Sequence, residues 1–200
     1  MALSRITNDG VTGISIDSSD VLSLDKSVIA KMSMSTATHN HTEQQWNRHT
    51  FDTVDFDSYS SIANVAKTTG VQSGSGFLIP YAGYYKIYYQ VHFGVNGEDG
   101  TTRDAAALIS RYRSSSETVL SSAYGRHQDQ GNDIGDLTFT ITVIDDCQAG
   151  DEIIFSHFLN TGTSTPYDVY AKVGEDDNTH LYYNSAAVPK ASYCSLQRIT

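Results

Sequence analysis

Apolar and polar residues alternate with a period of two through most of this chain, which predicts β-strands and little helix. The clearest case is the stretch GFLIPYAGYYKIYYQVHF at residues 76–93. Its later part has one apolar face, predicted to line a core, made of Tyr85, Ile87, Tyr89, Val91 and Phe93. The other face is polar but unusually aromatic and is made of Tyr84, Lys86, Tyr88, Gln90 and His92. A strand facing plain water does not require that aromatic area.

Further strands follow from the same alternation. LTFTITVIDD (137–146) and EIIFSHFL (152–159) flank a Gly150-Asp151 turn signal, so a tight hairpin is predicted between them. DAAALISRYR (104–113) alternates more weakly and its alanines also suit a helix, but its flanking context favours a strand. SYCSLQRI (192–199) predicts a last strand that is paired into a sheet.

The predicted core collects the apolar positions on these alternating faces. Its members are Phe77, Ile79, Tyr85, Ile87, Tyr89, Val91, Phe139, Ile141, Val143, Ile153, Phe155 and Leu196. A register error of one residue would exchange the two faces of a strand.

The first 27 residues differ in character, because short apolar dipeptides stand between Asp, Ser, Asn and Gly. They hold too little apolar content for a core, so we interpret residues 1–27 as an extended N-terminal arm. Such an arm is disordered alone, or is ordered by pairing with a neighbouring chain or a docking surface. Residues 28–200 form the predicted domain, in which VIAKMSM (28–34) is a first strand and STATHNHTEQQWN (35–47) a long surface loop.

Composition narrows the function classes. The formal charge is −10 and Lys plus Arg total 13, so no basic field favours nucleic acid or an anionic membrane as a partner. The start, MALSRITNDG, lacks the apolar run of a signal peptide, and no stretch is long and apolar enough to span a bilayer. We therefore expect synthesis in the cytosol and no membrane insertion.

The sequence gives only weak indications of a metal site or of a redox-active cysteine pair. Cys147 and Cys194 have no CxxC partner, and two reduced, partly buried thiols are favoured over a disulfide or a zinc ribbon. His39 and His41, followed by Glu43, are spaced like ligands, but no further cluster accompanies them. Two acidic loops, NGEDGTTRD (96–104) and GEDDNTH (174–180), supply weak calcium candidates without the ordered spacing of a calcium loop. These are Asp99, Asp104, Asp176 and Asp177.

Catalysis is not expected either, since the chain has no Gly-x-Ser-x-Gly elbow and the HNH letters at 39–41 lack the context of a nuclease. No cofactor is therefore predicted.

Four motifs in one order resemble the jelly roll of tumour necrosis factor ligands and of the globular heads of the first complement component. HTFDTVDFDS (49–58) resembles an early strand, and Gly76-Phe77, Pro80, Gly83 and Tyr85 match a Gly-aromatic-apolar-x-Pro step followed by Gly-x-Tyr. CQAGDEIIF resembles the Gly-Asp turn before the penultimate strands, and SYCSLQRI the last strand. The resemblance covers residues 28–200. It departs from the family in lacking the usual Gly in the last strand, near Ser195, and in the Tyr- and Asp-rich stretch 160–192.

The resemblance implies an all-β, two-sheet antiparallel jelly-roll sandwich of about ten strands, assembled as a homotrimer. The family buries one sheet's aromatic outer face around the threefold axis, which would explain the second aromatic face at residues 84–92. Tyrosine suits such an interface, because it offers apolar area and a hydroxyl that finds partners. The interface residues predicted on this basis are Tyr84, Tyr88, His92, Tyr193 and Gln197.

The arm carries a second resemblance. ITNDGVTGISIDSSDVLSL, within residues 5–24, is similar to Asp-Gly-Val and Ile-Asp-Ser-Ser segments near the heads of marine and cyanobacterial phage fibre and decoration proteins. This similarity implies attachment to a virion. The apolar residues predicted to make it are Ile6, Val11, Ile14, Ile16, Val21 and Leu22.

Four functions fit this organisation. The leading one is a non-enzymatic decoration (cement) or head-fibre protein of a tailed phage, a homotrimer bound to the major capsid protein or another virion protein. It would be assembled in the host cytoplasm and displayed on the virion surface. The alternative is the receptor-binding tip of a tail fibre or spike that recognises host glycan or protein, although no long shaft is present. A cellular ligand is weakened by the missing signal segment, and a glycan-degrading enzyme by the missing carboxylate motif.

Overall fold

The computed structural model describes residues 14–16, 22–24, 27–35, 38–41, 44–67, 74–94, 102–128, 137–160, 167–169 and 192–199. Every regular element among them is a β-strand, which confirms the all-β class. Accordingly, this part of the chain contains no apolar helix that could cross a membrane. The strands are β1 (Ile14–Ile16), β2 (Leu22–Leu24), β3 (Ile29–Ser33), β4 (Thr38–His41), β5 (Asn47–Arg48), β6 (Thr53–Asp57), β7 (Ala63–Lys67), β8 (Gly74–Leu78), β9 (Gly83–Gly94), β10 (Thr102–Arg113), β11 (Ser116–Gln128), β12 (Leu137–Cys147), β13 (Glu152–Asn160), β14 (Tyr167–Val169) and β15 (Tyr193–Arg198).

Two antiparallel sheets form the sandwich. Sheet I has seven strands in the order β4-β14-β9-β15-β3-β6, with β12 paired to β9. Sheet II has six strands in the order β11-β10-β13-β8-β7, with β5 paired to β13. Strands β1 and β2 form a separate two-stranded ribbon. The two-sheet prediction is thus confirmed, and DAAALISRYR is a strand, β10.

The core lies between the two sheets and is built as the alternation predicts. Of the twelve predicted core residues, all are buried except Phe139 and Val143, which are half-buried and pack against the core. Both lie on β12, which in the described part of the chain pairs with β9 alone and is therefore an edge strand of sheet I. Phe155 is central, since its ring centroid lies 5.1 Å from that of Tyr89 and 5.7 Å from that of Phe77. Tilted and edge-on ring contacts of this kind add to the free energy gained from area burial alone.

The predicted hairpin at Gly150 is wrong, because the turn joins two sheets. Strand β12 pairs with β9 in sheet I, whereas β13 pairs with β10 and β8 in sheet II. Gly150 reverses the chain with a φ of +89°, a conformation that favours glycine. Its N–H donates to the Ile79 carbonyl at 2.8 Å, which fixes the turn against the start of the loop between β8 and β9. A turn motif specifies reversal of the chain, but hydrogen-bonding partners come from the whole fold.

The predicted surface loop at 35–47 is also corrected in part, since it contains β4 and the first residue of β5. Strand β4 pairs with β14, and β5 pairs with β13 through Asn47 and Arg48. The sequence gives no apolar alternation here, so these strands arise from backbone pairing with neighbours that lie far away in the chain.

Three histidine rings meet where β4 and β13 approach the residue that follows β5. The His157 ring centroid lies 4.7 Å from that of His41 and 5.4 Å from that of His49. A hydrogen bond of 3.0 Å joins His49 Nδ1 to the Tyr89 hydroxyl, and His49 Nε2 lies 3.1 Å from Met34 Sδ. Burial, reinforced by His41, lowers the pKa of His49 to about 3, and burial also lowers the pKa of His157 well below its ordinary value. Both rings are therefore neutral at neutral pH.

Ion pairs tie the two sheets together near the Gly150 turn. The Arg113 guanidinium donates to both carboxylate oxygens of the buried Asp151, at 2.7 and 2.5 Å, and Arg111 pairs with Asp145 of β12. Desolvation opposes the charge on Asp151, but the hydrogen bonds from Arg113 and from the Gln148 N–H keep its pKa below the ordinary value. Cys147 and Cys194 are buried free thiols, and burial raises the pKa of each.

Candidate trimer interface

The outward side of sheet I carries the aromatic residues that the sequence singled out. Because β15 lies beside β9, Ser195 stands opposite Tyr88, and Tyr193 stands opposite Gln90. The even-numbered side chains of β9 and the odd-numbered ones of β15 therefore share one surface. We call it the tyrosine face and define it by Tyr84, Lys86, Tyr88, Tyr193, Ser195, Gln197 and, on β6, Phe56.

Two tyrosine rings form the centre of this face. Tyr88 and Tyr193 are stacked, with centroids 5.1 Å apart and planes 21° apart. The Tyr193 hydroxyl donates to the Tyr88 hydroxyl at 3.1 Å, which in turn donates to Gln90 Oε1 at 2.9 Å. Lys31 Nζ lies 4.8 Å from the centroid of the Tyr193 ring, within the range of a cation–π contact. The rings are thus held in place before any partner arrives.

The two tyrosine hydroxyls at the centre of this face are uncharged. The hydrogen bond to Tyr88, together with desolvation, raises the pKa of Tyr193 to about 12. Its hydroxyl therefore stays protonated and can donate at any pH near neutrality. Hydroxyl and amide groups cost much less free energy to desolvate than ionised groups do, provided that they keep hydrogen bonds.

A depression of about 230 Å³ opens beside the stacked rings. Its walls are Lys86, Tyr88, Tyr193, Ser195 and Gln197. A recess bordered by aromatic side chains can receive an anchoring side chain from a partner, the arrangement that concentrates binding energy in protein interfaces.

Exposed apolar side chains border this centre. Tyr84 is 52% exposed, Phe56 53% and Ile144, the β12 residue opposite Lys86, 60%. Isolated exposed apolar residues are ordinary on a protein surface, but a group of them around a recess is typical of an interaction site. The tyrosine face can therefore bury apolar area around an uncharged aromatic centre, and Lys86 is the charged residue among those that define it.

The structure places the five predicted interface residues as follows. Tyr84 and Gln197 are exposed, and Tyr88 and Tyr193 are half-buried on the tyrosine face. His92 differs, because it is only 2% exposed and its Nδ1 lies 2.7 Å from Thr138 Oγ1. It is already packed within the protomer, so it has little surface left for a partner to bury.

Sequence reasoning missed Phe56 and Ile144. Phe56 lies opposite Lys31, but the pairing of β3 with β6 shifts register between Lys31 and Met32. A shift of this kind displaces a strand's faces and is invisible in the sequence pattern. Ile144 had a usable signal, since it follows the outward threonines of β12 with the same period of two.

The remaining candidates have fewer observations. Ile14 and Ile16 lie on β1 and Leu22 on β2, where Ile16 pairs with Leu22. Ile6, Val11 and Val21 lie outside the described residues, as do Glu43, Asp99, Asp176 and Asp177.

Asp104 and the ligand-like histidines can be partly located. Asp104 accepts hydrogen bonds from Arg126 Nε and the Tyr124 hydroxyl, both at 2.7 Å, which lower the pKa of its carboxyl group. His39 lies on β4, and His41 contacts His157. Within the described ranges, no three His, Cys, Asp or Glu side chains group as metal ligands would.

No model of a protein family matches this sequence, and no curated protein does. Among solved structures, the Eiger TNF from S. frugiperda is similar with a TM-score of 0.55, at 9% sequence identity, over 87% of this chain and 93% of that one. Murine APRIL, solved at pH 5.0, gives a TM-score of 0.47 at 9% identity over 87% of this chain and 100% of that one. At such low identity the similarity to Eiger concerns the fold, and this chain therefore has the jelly roll seen in a TNF protein.

Proposed function

We propose that this protein is a non-enzymatic structural component of a phage virion surface, which forms a homotrimer through the tyrosine face. The observation that carries the trimer is the stacked and hydrogen-bonded pair Tyr88–Tyr193, surrounded by exposed Tyr84 and Phe56. These residues are neutral, pre-organised and partly unburied, which is what an associating surface requires.

The fold supports this choice of face and of symmetry. Sheet I presents aromatic side chains on both of its sides, one of which is used up by the core. In the tumour necrosis factor family, to which the sequence motifs point, the corresponding outer face surrounds a threefold axis. Closed rotational symmetry buries the same patch on every copy, so assembly stops at a defined number of subunits.

The virion assignment depends on the arm. Residues 1–27 precede the domain, and the similarity of residues 5–24 to phage fibre and decoration proteins is its main support. A trimer would present three arms, so weak docking of each to the major capsid protein or another virion protein would sum to firm attachment. The jelly roll that this chain shares with Eiger is compatible with a non-enzymatic, structural role.

Sedimentation equilibrium of matched glutamate variants tests the trimer. Tyr84→Glu puts a charge on the tyrosine face at a side chain 52% exposed, so the protomer still folds while the trimer dissociates. Val119→Glu is the control, because Val119 of β11 in sheet II is 57% exposed and lies away from that face. It should sediment as the wild type does. A Tyr84→Glu protein that remains fully trimeric would refute this choice of face.

Deletion of residues 2–24 tests the arm. The truncated protein should remain a folded trimer by circular dichroism and sedimentation, but should no longer co-sediment with phage capsids that lack the protein. The full chain, added to the same capsids, is the control. Undiminished co-sedimentation of the truncated trimer would rule out the arm as the means of attachment.

A further inference from the structure

A row of aromatic side chains crosses the outward side of sheet II, opposite the tyrosine face. Ala106 of β10 stands between Tyr124 of β11 and Phe158 of β13, and the ring of Trp46, next to β5, lies 5.6 Å from that of Phe158. Strands in a sheet are spaced by about 4.8 Å, so Tyr124 and Phe158 stand roughly 10 Å apart at the backbone. Ala106, which is small and only 7% exposed, lies between the two aromatic residues.

A row of planar polar side chains runs directly beside the aromatic row. Asp104 stands between Arg126 and Asn160 in the sheet, and Gln44 Nε2 donates to Asn160 Oδ1 at 3.3 Å. Asp104 accepts from Arg126 Nε and from the Tyr124 hydroxyl, each at 2.7 Å, so the two rows are directly linked. We call both rows together the aromatic platform, consisting of Trp46, Tyr124, Phe158, Gln44, Asp104, Arg126 and Asn160.

The platform is open to solvent. Tyr124 is 64% exposed, Trp46 is 44% exposed and the Arg126 side chain is 62% exposed. One exposed ring would be ordinary, but a group of aromatic side chains at the surface is typical of an interaction site. None of the three belongs to the tyrosine face, so a trimer formed through sheet I leaves them accessible.

The backbone that carries Trp46 is held in an unusual conformation. Gln44 has a φ of +57°, which is unfavourable for a residue with a Cβ. Two hydrogen bonds fix it, from its N–H to the Leu159 carbonyl at 3.0 Å and from its side chain to Asn160. Such conformations persist where the surroundings enforce them, and they concentrate at functional sites.

We propose that the aromatic platform binds a neutral oligosaccharide. Pyranose rings have an apolar C–H face, which packs against aromatic rings, and a rim of hydroxyls, which both donate and accept. The aromatic residues on either side of Ala106, with Trp46, offer the first surface, and the row from Arg126 to Gln44 offers donors and acceptors for the second. We infer this class of ligand because an aromatic surface and a row of hydrogen-bonding side chains lie side by side.

Charge selects a neutral sugar over other ligands that stack. Asp104 and Arg126 neutralise each other, so the platform offers no unpaired cation to a sulfate, carboxylate or phosphate. Single-stranded nucleic acid also stacks on aromatic rings, but it needs a positive groove, and this chain has a formal charge of −10.

Intrinsic fluorescence reports on the platform directly, because Trp46 is the single tryptophan of the chain. The full-length protein is first applied to a printed array of neutral and acidic oligosaccharides. Neutral sugars that are retained are then titrated in solution, and we expect a saturable change in Trp46 emission. No retained neutral sugar, or retention of acidic sugars alone, would overturn the assignment.

Two variants and a control locate the binding. Tyr124→Ala removes a largely exposed ring and should weaken binding about tenfold, the effect of losing one aromatic contact. Phe158→Ala, measured by calorimetry after its fold is checked by circular dichroism, should weaken it at least as much. Val119→Ala, on the same strand as Tyr124 and similarly exposed, should bind as the wild type does. Equal affinity of all three variants would exclude the platform.

The site lies within one protomer, so it does not depend on the trimer or on virion attachment. A Tyr84→Glu monomer should keep the wild-type affinity in the Trp46 titration and lose only retention on the array, where three linked sites add avidity. If the wild-type protein is a trimer but binds no neutral sugar, the platform alone is refuted. If the Tyr84→Glu protein stays trimeric but the sugar binds, the proposed interface alone is refuted.

Discussion

The two outward faces of the sandwich satisfy their polar groups in different ways. On the tyrosine face, hydroxyls of Tyr193 and Tyr88 bond to each other and to an amide, and the nearby Lys31–Asp55 pair is loose at 3.7 Å. On sheet II, Arg48 crosses the face and binds both oxygens of Glu117, at 2.8 and 2.5 Å. The centre of the tyrosine face is therefore an uncharged aromatic pair, whereas the outward side of sheet II carries bidentate ion pairs within the protomer beside its aromatic platform.

This difference indicates which face can be buried by another copy. Desolvating an ion pair costs free energy that its Coulomb attraction repays only with excellent geometry. Hydroxyl groups that already have partners, and exposed rings, cost far less to remove from water. The tyrosine face is thus suited to association, while sheet II is suited to remain wet and to meet a hydrated ligand such as a sugar.

The largest expected effect comes from acid, which acts on the core between the two faces. His49 and His157 are neutral and buried, with pKa values below the ordinary 6.5. A histidine whose pKa is lowered by folding contributes stability above the unfolded pKa and loses it as the pH falls. Below pH 6.5, each ring should therefore lower the free energy of unfolding by up to about 1.4 kcal/mol for each pH unit. Urea unfolding at pH 7 and pH 5 should therefore differ by about 4 kcal/mol for the two rings.

Substitution separates the histidine cluster from other sources of acid sensitivity. His157→Asn should flatten the pH dependence of the free energy of unfolding, although it lowers stability at pH 7. Val119→Ala, at an exposed position of sheet II, leaves every histidine in place, so it should retain the wild-type slope. Equal stability of the wild-type protein at pH 7 and pH 5 would contradict the neutral state of the buried rings.

A smaller effect distinguishes the charges of the two faces. Arg48→Met removes a guanidinium that is 16% exposed and leaves Glu117 and the buried Ser156 without that donor, at a cost of about 2 kcal/mol. Lys31→Met, the matched change on sheet I, removes a side chain that is 42% exposed and should cost about 0.5 kcal/mol or less. Urea unfolding in a Tyr84→Glu background measures both without a contribution from assembly. Similar costs for the two would contradict the difference between the faces.

The sequence predicts the two sides of sheet I well, because the alternation along β9 separates its core-facing side chains from its outward ones. Tyr85 and Tyr89 are buried as expected, while Tyr84 is exposed. Each strand has a period of two, and whichever side is more apolar becomes the core. What the pattern omits is the neighbour of each strand, so the predicted hairpin at Gly150 failed, although the turn itself was recognised.

The aromatic platform illustrates the same limit. Its members Trp46, Tyr124 and Phe158 come from three distant parts of the chain, and only the pairing of β10 with β11 and β13 brings the last two beside Ala106. The sequence held partial signals, such as a tryptophan within a polar tract and a Phe158 on the face opposite Phe155. Neither signal specifies a site until the strand order is known.

The smallest expected effect concerns one hydroxyl at the centre of the tyrosine face. Tyr193→Phe keeps the stack with Tyr88 but removes a hydrogen bond of 3.1 Å, so the protomer should lose about 1 kcal/mol or less. Trimer association should weaken only slightly, because most of the buried area is retained, whereas Tyr193→Ala should weaken it much more by removing the ring. Sedimentation equilibrium of the two variants compares the hydroxyl with the ring. If Tyr193→Phe dissociates the trimer as fully as Tyr193→Ala, the face associates through polar contacts, and the contrast with the ion-paired sheet II loses its explanation.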